Sequence, residues 1–128
     1  MGLDNGIWAH REGGFSERIM KAIAIYEYRE EAEVAYWCKC WQVRRAIFEA
    51  LGEPDENDSI IKMDRDDVVR VIKALKKFNK KTWYDYGIPH WEWYEYKWNH
   101  KHNIQRLKRL ARLMKKYPDI IVEFYDSY

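Results

Sequence analysis

The apolar positions of this chain recur with two different periods, and the changes of period mark out its elements. Leu3 to His10 and Ala22 to Tyr28 alternate loosely and predict short strands, with Asn5-Gly6 as an early turn signal and Gly13-Gly14 as a break between them. The second run, which carries good helix formers, reads equally as the start of the helix after it. From Glu30 to Leu51 the spacing is helical. Val34, Trp37, Trp41, Phe48 and Leu51 recur at three- and four-residue steps, and Tyr36, Cys40, Val43 and Ile47 form a neighbouring stripe. Gly52 is a natural stop for this helix, and Pro54 lies just beyond it.

Ser59 to Met63 is a short β-like run. Asp64 then suits a helix N-cap, and Asp66 and Asp67 in the first turn complement the helix dipole. Val68, Val71, Ile72, Leu75 and Phe78 give an amphipathic stripe ending near Lys80, among the cations Lys76, Lys77, Lys80 and Lys81. Lys81 to His90 reads as an aromatic loop holding Gly87, and Pro89 suits the first turn of a helix running from about Trp91 to Tyr117. On that helix Trp93, Tyr96, His100, Ile104, Leu107, Ala111 and Met114 share one side as a core stripe. Lys97, Lys101, Lys108, Arg112 and Lys115 share the far side, with Trp91, Tyr94 and Trp98 beside them. Pro118 ends the helix, and Asp119 to Asp126 alternates as a final strand, Ile120, Val122 and Phe124 against Ile121, Glu123 and Tyr125. This order predicts an α+β fold in a single domain over residues 1–128: three helices packed on a small antiparallel sheet of three to four short strands.

Charge sharpens the picture more than composition does. The formal net charge is +2, too small for a general polyanion binder, but its distribution is uneven. Glu53 to Asp67 holds seven acidic residues against two basic ones, whereas Lys97 to Lys116 is purely basic. That asymmetry suits steering an anion to one end, or pairing two copies as a homodimer. Cys38 and Cys40 are too few for a disulfide scaffold and too close for an unstrained bridge, which points to thiols in a reducing compartment. No stretch reaches the ~18 consecutive apolar residues of a membrane span, and Met1 to Asp4 lacks the basic start and apolar run of a secretory leader. The expectation is a soluble cytoplasmic protein with no membrane partner.

The chemistry concentrates in the C-terminal half. Trp83, Tyr84, Tyr86, Trp91, Trp93, Tyr94, Tyr96 and Trp98 put eight aromatics into sixteen residues, and Lys97 to Tyr117 then carries eight basic residues and no acidic one. Rings that stack beside cations that neutralise phosphate are what a flat anionic ligand requires. The first candidate site is therefore Trp91, Tyr94 and Trp98 for stacking, with Lys97, Lys101, Lys108 and Arg112 for phosphate. The same residues also suit a solvated helix face, so exposure of the rings decides between the two. The second candidate is Tyr36, Trp37, Trp41, Arg44 and Arg45, with Trp37 and Trp41 one helical turn apart. Core packing explains that Trp pair as well. A zinc site from Cys38, Cys40, His100 and His102 is disfavoured, because residues two apart on a helix point about 200° apart. His10, His90, His100 and His102 with Glu92 or Glu95 make no recognisable nucleophile motif, and there is no phosphate-binding glycine loop. No catalytic residue, metal or cofactor is expected. His100, on the core stripe, reads as a packed, hydrogen-bonded histidine.

Several landmarks resemble a widespread group of small phage-encoded proteins of unassigned function. They are the opening Met1-Gly2-Leu3-Asp4, the Glu-x-x-Tyr-Trp-x-Lys helix pattern of Glu33, Tyr36, Trp37 and Lys39, the aromatic segment Tyr84 to Tyr96, and the ending Phe124-Tyr125-Asp126-Ser127-Tyr128. The group usually has Arg directly after Tyr-Trp, where this chain has Cys38; a binding role of that Arg would be missing or moved to Lys39. The resemblance implies a phage setting and an infected host cell, and brings no established activity. Together these readings predict a non-catalytic phage accessory protein that binds a small anionic or nucleotide-like ligand, such as a host defence signal that it sequesters. The alternatives are a single-stranded nucleic-acid binder and a protein that inhibits or adapts a host factor.

Overall fold

The computed structural model describes residues 4–38, 40–53, 60–79 and 93–127, with the side chains of residues 4, 38, 93–95 and 127 excepted. Five strands, β1 (Asp4–His10), β2 (Tyr26–Tyr28), β3 (Glu31–Cys38), β4 (Ile60–Met63) and β5 (Ile121–Ser127), form one antiparallel sheet in the order β2-β3-β1-β5-β4. Four helices are described: α1 (Glu17–Ile23), α2 (Trp41–Leu51), α3 (Arg65–Leu75) and α4 (Trp93–Lys116). The α+β class is as expected from the sequence. The expectation of three helices on three to four strands is corrected to four helices on five strands among the described residues.

The helices cover one face of the sheet. Ile7 and Ala9 of β1, Val34, Ala35 and Trp37 of β3, and Val122 and Phe124 of β5 are buried there against Val43, Ile47, Val68, Val71, Leu107 and Leu110. Phe48 meets Phe124 edge-on, with ring centroids 5.9 Å apart. In the helical layer α3 packs against both α2 and α4, while α4 lies against β3 and α1. The opposite face of the sheet carries Tyr26, Tyr28, Tyr36, Ile60 and Ile121, all exposed, interleaved with Glu31, Glu33 and Glu123.

The predicted Glu30–Leu51 helix is two elements, and the register explains the error. Ile7 pairs with Ala35 but Trp8 pairs with Glu33, so Val34 is an extra residue, a β-bulge. Alternation shifts phase there, and Val34 and Trp37 fall on one face although three residues apart. A bulged strand thus imitates a helical step. Only Trp41–Leu51 is helical. It ends as predicted at Gly52, whose left-handed φ of 66° closes a Schellman motif: Gly52 N–H donates to Glu49 C=O (3.2 Å) and Glu53 N–H to Phe48 C=O (3.1 Å). The Ala22–Tyr28 strand is likewise split between the end of α1 and β2. Sequence reasoning passed over α1, although Ser16 caps it by accepting from Ile19 N–H (3.2 Å), with Glu17 in its first turn.

Other expectations hold. Asp64 caps α3 in a reciprocal capping box with Asp67. The core stripe of α4 holds from Tyr96 onward: His100, Leu107, Ala111 and Met114 are buried, and Tyr96 and Ile104 are half-buried, while the side chain of Trp93 lies outside the described residues. On β5, Ile120, Val122 and Phe124 face inward. The Lys81–His90 loop with Gly87 and Pro89, the Pro54 break and the Met1-Gly2-Leu3 landmark lie outside the described residues.

Past β2, the edge of β3 has no neighbouring strand among the described residues, and α4 supplies partners there. Asn103 donates from Nδ2 to Tyr36 C=O (3.0 Å) and accepts Tyr36 N–H at Oδ1 (3.4 Å), while Arg106 Nε–H donates to Val34 C=O (2.8 Å). An amide side chain that offers one donor and one acceptor copies a strand's backbone, and so satisfies an edge that would otherwise be buried unpaired.

Candidate anion-binding groove

Where α3 ends against the first half of α4, the two helices leave a groove of about 540 Å³. Lys97, Lys101, Ile104 and Lys108 line it from α4, at spacings of three, four and seven that keep them on one side of a helix. Leu75 and Lys76 line it from the end of α3, with Phe78 and Asn79 just after. Among the described residues none of the lining is acidic, and four are lysines. The volume lies within the roughly 300–1,000 Å³ of small-ligand sites. The cations crowd one another: the Lys76 side chain, by hydrogen bonding and by repulsion, lowers the pKa of Lys108, and Arg112 adds to the repulsion. An anion placed between these ammonium groups relieves that repulsion.

The wall behind the lysines is fixed by His100. Its Nε2–H donates to Leu75 C=O (2.7 Å), which assigns the tautomer, and its Nδ1 accepts from Trp37 Nε1–H (3.3 Å). Burial lowers its pKa, and the Leu75 carbonyl offsets this in part. The neutral imidazole therefore joins β3, α3 and α4 through one side chain. His100 is the packed histidine that the sequence predicted. His102 donates from Nδ1 to Trp98 C=O (2.8 Å), and its ring stacks on the Trp98 indole at 4.0 Å between centroids.

Of the first candidate site, the structure brings Lys97, Lys101 and Lys108 together in the groove. Arg112 is exposed one turn further along α4 and acts on Lys108 only through its charge. Trp98 is 62% exposed on the flank of α4, beside the groove and not in it. Tyr94 lies on α4 with its side chain outside the description, and Trp91 lies outside the described residues altogether. Sequence reasoning missed Lys76, Phe78 and Asn79 as groove residues. Their signal was present, because the α3 stripe ends at Phe78 in a cluster of lysines, but only the packing of α3 on α4 joins the two sets.

The second candidate site is dispersed. Trp37 and Trp41 share no helix face, since Trp37 is on β3 and buried while Trp41 is exposed in the first turn of α2. Tyr36 points to the open face of the sheet. Lys39 lies outside the described residues. Arg44 is buried, hydrogen-bonds Asp126 through Nε, and lies 4.4 Å from the centroid of Phe48 and 5.8 Å from that of Trp41. Among the described residues no helix is long and apolar enough to cross a membrane. In comparisons with known proteins, no family model matches the chain, and no curated protein and no solved structure is significantly similar to it.

Proposed function

We propose that this protein is a non-catalytic binder of a small anionic or nucleotide-like ligand, seated in the α3–α4 groove. The observation that carries this reading is the convergence of Lys76, Lys97, Lys101 and Lys108, with no acidic residue beside them among the described residues, around a groove with an aromatic ring, Phe78, in its lining. Charge-assisted hydrogen bonds contribute about 1.5–3 kcal/mol each and a stacked base about 1–3 kcal/mol, so two or three contacts support micromolar binding. In a phage setting, sequestration of a host defence signal is the role that needs only affinity and abundance.

Thermal unfolding against a panel of cyclic and linear nucleotides tests the proposal. Ligand at about 100 times its Kd adds about 2.7 kcal/mol. For 128 residues the unfolding entropy is about 0.27 kcal/mol/K, so Tm rises by about 10 °C. The pair Lys101→Glu and Lys108→Glu removes that shift. A panel without any stabilisation, or a shift that survives the double charge reversal, overturns the assignment. The exposed indole of Trp98, outside the groove, favours single-stranded nucleic acid as the second reading. It predicts affinity for a labelled oligonucleotide that falls steeply with salt through counterion release.

A further inference from the structure

A second groove, of about 640 Å³, runs along the other side of α3, between it and α2. Gln42, Arg45 and Glu49 line it from α2, Arg70 and Lys73 from α3, and Lys77 from the turn that follows α3. Both sets repeat at three- and four-residue steps, so each belongs to one side of its helix. Ala46, Ala50 and Ala74 are also in the lining, and their short side chains fill little of it. Arg70 is engaged by Asp67. Arg45, Lys73 and Lys77 are exposed at the rim, with Glu49 as the one carboxylate in the lining among the described residues.

Gln42 distinguishes this groove from a merely basic surface. Its residue is 5% exposed, it lines the groove, and its Nε2 has no hydrogen-bond partner among the described residues. Buried polar groups are nearly always paired, because an unsatisfied donor loses its hydration without replacement. A primary amide donor beneath a rim of three cations calls for an acceptor that carries negative charge. The terminal torsion of Gln is broad, so its amide turns toward an incoming oxygen without leaving its rotamer.

We infer that the α2–α3 groove is a binding site for a phosphoryl group of a small molecule, held by Gln42 Nε2, Arg45, Lys73 and Lys77. Donors reaching in from two helical walls match the several acceptor oxygens of a tetrahedral oxyanion better than the two of a planar carboxylate. The site is independent of the α3–α4 groove, although Phe78 borders both.

Amide NMR of the intact chain, titrated with inorganic pyrophosphate, tests this. The Gln42 side-chain NH2 resonances and the amides of Arg45 and Lys73 should shift together and saturate, while sodium chloride at equal ionic strength leaves them in place. Lys73→Glu should abolish saturation. Gln42→Met, which keeps length and apolar packing and removes the donor, should weaken pyrophosphate about tenfold, the equivalent of one charge-assisted hydrogen bond. Lys101→Glu with Lys108→Glu should leave these shifts unchanged, which separates this site from the other groove. The inference is overturned if Gln42 resonances do not respond, if chloride moves them equally, or if Gln42→Met merely stabilises the fold and leaves affinity intact. Saturation by an oligonucleotide but not by pyrophosphate would also overturn it, in favour of a nucleic-acid backbone.

Discussion

Asp126→Asn is the sharpest probe of how the fold uses its buried charge. The ion pair between Asp126 on β5 and Arg44 on α2 has side-chain exposures of 0% and 3%, so almost no water screens it. The substitution keeps shape and removes the negative charge that faces the guanidinium. Breaking such a pair from one side costs about 3–5 kcal/mol, because a desolvated charge is left behind. With an unfolding entropy near 0.27 kcal/mol/K for 128 residues, Tm should fall by about 11–19 °C. Urea unfolding followed by circular dichroism gives the same quantity as a shifted midpoint at constant m-value. The loss should persist in about 1 M salt, since a buried pair is screened little. Replacing both partners, Arg44→Met with Asp126→Leu, should recover much of it, because desolvation and attraction nearly cancel in a buried pair. A loss below about 1 kcal/mol would put the pair in the class of surface bridges and refute the reasoning.

Three further outcomes follow from packing and titration. A Cβ at Gly6 would come within 2.8 Å of the Tyr125 hydroxyl oxygen, so Gly6→Ala should drive that ring off its hydrogen bond to Glu33 (3.3 Å) and destabilise the protein by about 0.5–1.5 kcal/mol in urea titrations; Tyr125→Ser should suppress the penalty. Asn103→Ala strips the partners from both backbone groups of Tyr36 and should lower stability by about 2–4 kcal/mol, with faster hydrogen exchange at the Tyr36 amide as the local readout. His100 has its pKa lowered below the ordinary 6.5 by burial, so the unfolded chain takes up this proton first. The stability due to neutral His100 is complete above pH 6.5 and declines as pH falls below it, until the folded-state pKa is passed; a His100→Gln variant should lose that component of the urea-midpoint profile.

The elements legible in the sequence are those in which one period runs undisturbed. The 24 residues of α4 repeat their apolar positions often enough to fix both its existence and its buried side, and β5 alternates without a break. The capping signals at Asp64 and Gly52 are local, and they held. The misreadings arose where tertiary context changes the meaning of a spacing. Val34 and Trp37 mimic a helix because the bulge shifts the phase of β3, and no short-range signal marks the bulge. Arg44 was read as a site residue and is instead held in a buried ion pair, whose partner lies 82 positions away in the chain. In the groove, Lys97, Lys101 and Lys108 were legible as one side of α4, but Lys76 and Phe78 needed the contact between α3 and α4. Gln42 carries no sequence signal at all, since its significance is that its Nε2 finds no mate among the described residues of a packed layer.

The stitching of α4 to the bare margin of β3 also bears on recognition. Asn103 and Arg106 grip main-chain atoms at the level of Tyr36 and Val34, and His100 is anchored one turn earlier, so this helix can neither roll about its axis nor slide along it without tearing several attachments at once. Lys97, Lys101 and Lys108 project from the same rod, and their azimuth is set before any ligand arrives. In the binding mode proposed above, a guest would meet a rigid bank of ammonium groups, and the freedom surrendered on docking would be mainly that of the lysine stems.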